Sequence, residues 1–267
     1  MTTLSLAVTD SATMYRRSLR RILRYPSMTV LVVALPIVFL LLFVYVFGGT
    51  LGNGLGSAAV SDDGGRTAYV NYVTPGILLL AIAGTAQGTA ISVAMDMTAG
   101  IIARFRTMAI ARASVLTGHV LGSLSQTLVS LVIVLAVAMG LGFRPTAGVA
   151  GWLGTAGILT LATLAFSWLS VALGLVSKSV ETASNLPMVL TLLPFLGSGF
   201  VPTDSLPAGL RWFAEYQPFT PIIETVRGLL LGTPIGHNGV LAVAWCLAIG
   251  LASYAWAKRL FVRRTAR

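Results

Sequence analysis

The residues of this 267-residue sequence that could do covalent or metal chemistry are few and far apart. Its two histidines, His119 and His237, are distant in sequence, and the single cysteine, Cys246, lies within an apolar stretch. A metal site needs several clustered Cys, His or carboxylate ligands, and a lone cysteine has no partner for an intrachain disulfide. We therefore predict no metal site, no disulfide and no catalytic residue in this chain.

The sequence also lacks a glycine-rich loop ending in Gly-Lys-Ser or Gly-Lys-Thr, the motif that holds nucleotide phosphates. Its eight acidic residues all lie in predicted loops or at the ends of apolar stretches. Carriers driven by protons or ions usually bury ionisable groups near the bilayer centre, where a charge costs at least about 2.5 to 3.5 kcal/mol. The polar residues inside apolar stretches are amides and hydroxyls, such as Gln87, Gln126 and Asn185. We predict that the chain binds no cofactor and that another chain would have to energise any active transport.

Long apolar stretches must position these polar residues. Hydrophobic residues make up 56% of the chain and charged residues only 10%, whereas soluble domains carry about 25% charged residues. A helix needs about 20 residues to cross the hydrocarbon core of a bilayer. We predict an all-α membrane protein with six transmembrane helices, at 28–47, 75–95, 115–141, 151–176, 183–201 and 239–257.

The distribution of basic residues predicts the orientation of these spans. A net charge of +10 can indicate nucleic-acid binding, but here the Lys and Arg residues flank the apolar stretches. With a cytoplasmic amino terminus, 14 of the 18 basic residues lie in cytoplasmic segments and 4 lie outside. Cytoplasmic loops of membrane proteins carry this excess of positive charge. We therefore predict both termini in the cytoplasm, with a basic tail at 258–267, and no nucleic-acid partner.

The segment before the first span, residues 1–27, has the pattern of an amphipathic helix at the membrane surface. Apolar residues fall on one helical arc and arginines on the opposite arc. The apolar arc holds Ala12, Tyr15, Leu19, Ile22 and Leu23, and the basic arc holds Arg16, Arg17, Arg20, Arg21 and Arg24. The basic arc can bind anionic lipid or a cytoplasmic partner, or it can serve only to orient the chain in the membrane.

A second cytoplasmic segment, residues 96–114, joins the second and third spans. Arginines alternate in it with apolar residues at helical spacing. The residues of interest are Arg104, Phe105, Arg106 and Ile110. A simple connection needs far fewer residues. The length favours a short helix that is offered to a cytoplasmic partner over a plain surface connector.

Small residues at four-residue spacing occur on the second and third spans. Gly84 is followed by Gly88, and Gly118 by Gly122. Such pairs allow helix backbones to approach closely in membranes. We favour packing within the chain over a subunit interface for both pairs.

The external segment 202–238, between the fifth and sixth spans, predicts two short amphipathic helices. Asp204 or Ser205 can cap the first, and the Thr220–Pro221 pair can start the second. Glu224 and Arg227 lie one turn apart on the second helix. We expect both helices to dip into the membrane and return, and we favour a local structural contact between Glu224 and Arg227 over an ion site.

Three parts of the chain resemble a known family. Residues 193–234 resemble the carboxy-terminal signature of ABC-2 type transporter permeases, with a glycine-bearing span end, a proline-rich external segment and a run of Glu, Arg and Gly. Residues 21–49 and 72–120, the latter containing Pro-Gly-Ile and Arg-Phe-Arg, are similar to the daunorubicin-resistance branch of that family. That branch commonly has proline after its Arg-Phe-Arg, where this chain has Ala109.

The resemblance implies the six-helix fold of type V exporters, with the transmembrane domain at 28–257. It further implies a dimer of two permease chains, identical or closely paralogous, in the inner membrane of a bacterium. A separate ABC ATP-binding subunit would carry the ATP and Mg and dock beneath the amino-terminal helix, at Arg17 and Arg21, and beneath the 96–114 loop. The expected substrate is a small amphipathic drug or a lipid. The alternatives are a permease for polysaccharide or lipid-linked glycans and an ATP-independent carrier or channel.

The family also implies a path that opens between the paired second and fifth spans. An amphipathic drug needs apolar and aromatic surface with a few hydrogen-bonding groups. Gln87 and Ile91 share one face of span two, and a 3.6-residue stripe follows span five. The predicted path residues are Gln87, Ile91, Asn185, Val189, Leu192, Phe195, Leu196 and Phe200. Packing of these residues inside one six-helix half is the alternative.

Overall fold

The computed structural model describes residues 3–24, 26–53, 55, 65–98 and 112–265, and the regular elements within these ranges are all helical. Helix α1 spans Thr3–Arg24. Helix α2, Pro26–Leu42, continues through a π-helical turn at Phe43–Phe47 into α3, Gly48–Asn53. The remaining helices are α4 Gly65–Thr98, α5 Arg112–Gly140, α6 Val149–Val176, α7 Val180–Asn185, α8 Met188–Leu192, α9 Ala208–Tyr216, α10 Phe219–Leu231 and α11 Asn238–Thr265.

Within the described residues, five helices are long and apolar enough to cross a membrane. They are Val30–Gly52, Gly65–Thr98, Ser114–Gly140, Val149–Val176 and Asn238–Phe261, and each overlaps a predicted span. The predicted span at 183–201 differs, because it is a shorter apolar helix, Val180–Leu196, that is interrupted. Pro187 separates α7 from α8, and Pro194 lies in a 3₁₀ turn at Leu193–Leu196. Proline lacks a backbone N–H donor, which contributes to both interruptions, although Pro36 and Pro75 lie inside continuous helices.

Helix α4 is the centre of the bundle. Its most apolar window is 72% buried, whereas the corresponding windows of Val30–Gly52 and Asn238–Phe261 are 17% and 22% buried. It packs against α2, α5, α6, α7 and α10. The two outer helices expose apolar side chains, as lipid-facing helices do. A change in the position of α4 therefore affects most of the protein.

Helices occupy both ends of the segment 48–72, although its sequence predicts a loop. Its seven glycines predict a flexible external loop, with Tyr69 and Tyr72 in an outer aromatic belt, but α3 occupies its beginning and α4 starts at Gly65. Both tyrosines are buried, with 0% and 2% of their surface exposed. The Tyr69 hydroxyl donates a hydrogen bond to the backbone oxygen of Phe200. Contacts within the chain therefore replace the expected contact with lipid headgroups.

The two predicted external helices are present as α9 and α10. Helix α10 has the Thr220–Pro221 pair in its first turn and ends at Gly232, which has the left-handed φ of 73° that suits glycine. It is almost wholly buried against α4, α6 and α11. Helix α9 exposes an apolar surface that includes Trp212 and Tyr216. The structure confirms two helices here, but the predicted cap of the first is wrong, because α9 begins at Ala208 after Pro207 and residues 203–205 form a separate 3₁₀ turn. Whether the helices dip into the membrane stays a prediction.

Candidate functional site

Arg227 on α10 is a buried arginine that joins three parts of the chain. Only 4% of its surface is exposed. Its Nη1 pairs with Glu224 on the same helix. Its Nη2 donates to the backbone oxygens of Tyr72 at 3.0 Å and Ser198 at 2.7 Å, and its guanidinium lies 3.9 Å from the centre of the Tyr72 ring. The predicted local contact with Glu224 is present, whereas the contacts with Tyr72 and Ser198 could not be predicted from the sequence.

The interrupted apolar helix Val180–Leu196 is called the fifth segment below. The turn that follows it, residues 197–200, lies directly against α4. A side-chain carbon at Gly76 would come within 2.4 Å of the Gly199 backbone oxygen, so the two backbones touch. The Gln217 side chain donates to the backbone oxygen of Leu193 at 2.9 Å. Together with Arg227, these contacts fix the outer end of the fifth segment on α4 and on the start of α10.

We expect Arg227→Ala to destabilise the protein strongly. It leaves Glu224, whose side chain is 30% exposed, without its cation, and it leaves the buried backbone oxygens of Tyr72 and Ser198 without their donor. Each buried polar group that loses its partner costs about 1 to 3 kcal/mol. The matched control is Arg211→Ala on α9, since Arg211 is 46% exposed and pairs with Asp204 and Glu215. Exposed pairs contribute little to stability because water screens them. Thermal unfolding of both variants in detergent is the measurement, and equal melting temperatures would contradict the assigned role of Arg227.

The stripe on the fifth segment faces outward from the single chain. The exposed fractions are 60% for Val189, 49% for Leu192 and 40% for Leu196, and Asn185 is exposed as well. Within one soluble subunit these side chains would be buried in the core. Here they form an apolar surface that is available to lipid, to a second permease chain or to a substrate.

Gln87 and Ile91 lie next to this stripe on α4, and both are half-buried. The Gln87 Nε2 donates to the backbone oxygen of Ser184 at 2.9 Å. This hydrogen bond crosses directly from α4 to α7. The second span and the fifth apolar segment are therefore neighbours in one chain, and Gln87 lies at their contact.

The two predicted path aromatics belong to a cluster between α2 and the fifth segment. Phe195 stacks on Phe200 with ring centroids 4.3 Å apart, and Phe43 lies 4.6 Å from Phe200. Phe39 meets the edge of Phe195 at 5.4 Å. Phe200 is 3% exposed and Phe195 half-buried, so in this conformation Phe200 packs inside the chain. It would reach a path only after α2 and the fifth segment separate.

At the other end of α4, Asp96 accepts contacts from two neighbouring helices. Arg17 on α1 places Nη1 3.3 Å from Asp96 Oδ2, and its Nη2 donates to Oδ1 at 3.5 Å. His119 on α5 places Nε2 3.2 Å from the same Oδ2. Only 5% of the Asp96 side chain is exposed. The sequence placed Asp96 at a span end and Arg17 on a basic arc expected to bind lipid or a partner, and it did not predict their contact.

Helix α1 packs on the first half of α5, along the Gly118 and Gly122 pair. A side-chain carbon at Gly118 would lie 2.5 Å from Met14 Cβ, and one at Gly122 would lie 2.1 Å from Ser18 Oγ. Tyr15 adds a hydrogen bond of 2.8 Å to Ser125. This glycine pair therefore packs within the chain, as predicted. Gly84 and Gly88 have no atom within 4 Å of such a position and face open space.

The other predicted coupling residues cannot be placed. Arg104, Phe105, Arg106 and Ile110 lie outside the described residues. Arg21 lies on α1, but its side chain is not described. Their role in docking a partner stays a prediction that rests on the sequence.

Comparison with known families identifies the fold. A sequence model of the ABC-2 type transporter family matches residues 10–231, from α1 to the end of α10. The chain belongs to the ABC-2 type transporter family. The family resemblance seen in the sequence is thereby confirmed.

This ABC-2 permease has relatives among named drug-resistance proteins. It is 28% identical over 248 residues to a daunorubicin resistance ABC transporter permease protein of Streptomyces coeruleorubidus, covering 92% of this chain and 83% of that one. It is 24% identical over 217 residues to a probable doxorubicin resistance ABC transporter permease protein of Mycobacterium tuberculosis, covering 81% and 75% of the two chains. A match to ABC transporter G family member 20 of Dictyostelium discoideum is 25% identical and covers 61% of this chain and 22% of that protein.

Membership in the ABC-2 family establishes two general properties of this chain. ABC-2 permeases work with an ABC ATP-binding subunit, so this chain is the membrane part of a larger transporter. Several apolar helices make it a multi-pass membrane protein.

Proposed function

We propose that this chain is the transmembrane subunit of an ATP-driven exporter of amphipathic drugs or lipids. The observation that carries the proposal is its similarity, over most of its length, to two permeases named for daunorubicin and doxorubicin resistance. The exposed apolar stripe beside Gln87 supports it, because an amphipathic substrate needs apolar surface with a few polar groups. The chain itself hydrolyses nothing, and ATP with Mg binds to the partner subunit.

The working unit is a dimer of permease chains, identical or closely paralogous, with one ATP-binding subunit under each. The stripe of Val189, Leu192 and Leu196 faces the second chain, and the substrate passes between the two α4 helices and the two fifth segments. Two features support this arrangement. The stripe is uncovered in the single chain, and α4 presents Gly84 and Gly88 to open space on a partly exposed face.

In a bacterium, the chain lies in the inner membrane with both termini in the cytoplasm. Single cysteines at Ser61, Thr203 and Thr265, in a chain lacking Cys246, test this arrangement. The excess of basic residues near the proposed inner ends predicts that a membrane-impermeant thiol reagent labels the first two in intact cells and Thr265 only after permeabilisation. Labelling of Thr265 from outside would contradict an even number of spans.

The partnership is tested by purifying the tagged chain from its native membrane and identifying the ABC ATP-binding subunit that co-purifies with it. We expect a stable complex with equal numbers of the two proteins, and drug-stimulated ATP hydrolysis by that complex. Stimulation by lipid-linked glycan but not by daunorubicin would favour the polysaccharide alternative. Drug transport by the purified chain alone would refute the proposal.

A further inference from the structure

The contact between Arg17, Asp96 and His119 joins three helices with different expected roles. Arg17 lies on α1, which we expect to contact the ATP-binding subunit. Asp96 lies in the last turn of α4, the helix that also carries Gln87 and Ile91. His119 lies on α5. The carboxylate therefore links the expected docking helix to the central helix of the bundle.

The geometry favours a stiff link over a loose surface pair. The two terminal nitrogens of Arg17, Nη1 and Nη2, face the two carboxylate oxygens of Asp96 at 3.3 and 3.5 Å. A two-pronged contact of this kind fixes orientation as well as distance. The Asp96 and His119 side chains are only 5% and 12% exposed, whereas the Arg17 side chain is 41% exposed, so water reaches the contact from the Arg17 side only. A cavity of about 20 Å³ beside them, lined partly by Met14 and Gly118, has room for about one water molecule.

The surrounding packing leaves α1 little freedom to slide. The backbones of α1 and α5 approach closely at Gly118 and Gly122, and Tyr15 bonds to Ser125. Removal of the Arg17–Asp96 contact would therefore leave α1 packed against α5 and would separate α1 only from α4. Among the described residues, the pair provides a polar link between α1 and α4.

We propose that Asp96 is a positioning residue that, through Arg17, makes α1 and the cytoplasmic end of α4 move together when the ATP-binding subunit changes state. The proposal rests on the proposed function, because it needs an ATP-binding subunit that acts on α1. Loss of the link separates ATP hydrolysis from movement of α4. The ATP-binding subunit still binds to the permease and still hydrolyses ATP, but the transported substrate no longer controls the rate of ATP hydrolysis.

The test uses the full complex in lipid and measures the ratio of drug-stimulated to basal ATP hydrolysis, with daunorubicin as the drug. Asp96→Asn keeps the shape of the side chain and removes its charge, and Arg17→Gln removes the same contact from its more exposed side. Each should lower the ratio by roughly 3- to 30-fold, the range expected when a coupling contact is lost. The double variant should be no worse than either single variant, because both remove one interaction.

Two controls separate positioning from folding. Arg17→Lys keeps the positive charge but cannot make the two-pronged contact, and should restore the ratio only in part. Lys258→Gln removes an exposed charge on α11 and should leave the ratio unchanged. Recovery of the complex by size-exclusion chromatography should be equal for Asp96→Asn, which leaves the expected docking residues unaltered, and the natural chain. An unchanged ratio in Arg17→Gln, in a complex that the drug stimulates normally, would overturn the link alone. Absence of any complex or any stimulation in the unaltered protein would overturn the proposed function and the link with it.

Discussion

Leu196→Trp is expected to stop drug export without preventing assembly of the transporter. Leu196 is 40% exposed at the outer end of the apolar stripe, next to the turn that is fixed on α4. If two stripes face each other across the dimer axis, a pair of indole rings fills the space through which a substrate must pass. Export of daunorubicin from cells should then fall to the level seen with an ATP-binding subunit that cannot hydrolyse ATP.

The control for this variant is Leu251→Trp on the outer helix α11. Leu251 is 67% exposed, so this variant makes the same substitution on a surface that we expect to face lipid. It should export normally at equal expression. Normal export by Leu196→Trp as well would remove the stripe from the path and would leave it as a lipid-facing surface.

Gly118→Val is expected to release α1 from the bundle and to abolish drug-stimulated ATP hydrolysis. Even the first side-chain carbon at this position would overlap Met14, and valine adds two more carbons beside it. Overpacking of this kind costs about 1 to 3 kcal/mol, and here α1 can relieve it by moving away from α5. Since we expect α1 to be the docking helix, the ATP-binding subunit should bind more weakly.

Gly157→Val on α6 is the matched control, because no atom lies within 4 Å of a side-chain carbon at Gly157. Co-purification of the ATP-binding subunit with each variant is the measurement. Equal recovery of the subunit with both variants would show that docking does not depend on the packing of α1 against α5.

The apolar stretches predict most of this fold because a bilayer imposes simple length and polarity requirements on a spanning helix. Five of the predicted spans overlap long helices for that reason. The interruption of the fifth predicted span does not follow from these requirements. Pro187 and Pro194 are visible in the sequence, but prolines are tolerated in many membrane helices, and the packing around them decides whether a helix bends or breaks.

The candidate sites depend on contacts between residues that are distant in the sequence. An aromatic residue with a hydroxyl group at a span end looks the same in a headgroup belt as it does under a buried arginine, as Tyr72 is here. Arg17 lies on a basic arc that indicates lipid or partner binding, and only the fold brings it to Asp96, 79 residues away. Helical periodicity did identify the stripe of Val189, Leu192 and Leu196, because these residues belong to one element.

Transport by purified protein in lipid vesicles tests the central claim most directly. Vesicles containing this chain and its ATP-binding subunit, with the ATP-binding sites outward, should accumulate daunorubicin when ATP and Mg are supplied. They should not accumulate it with ATP alone in the absence of the ATP-binding subunit, or with a subunit unable to hydrolyse ATP. Accumulation at the same rate by vesicles that contain this chain alone, without ATP, would contradict its assignment as the permease subunit of an ATP-driven exporter.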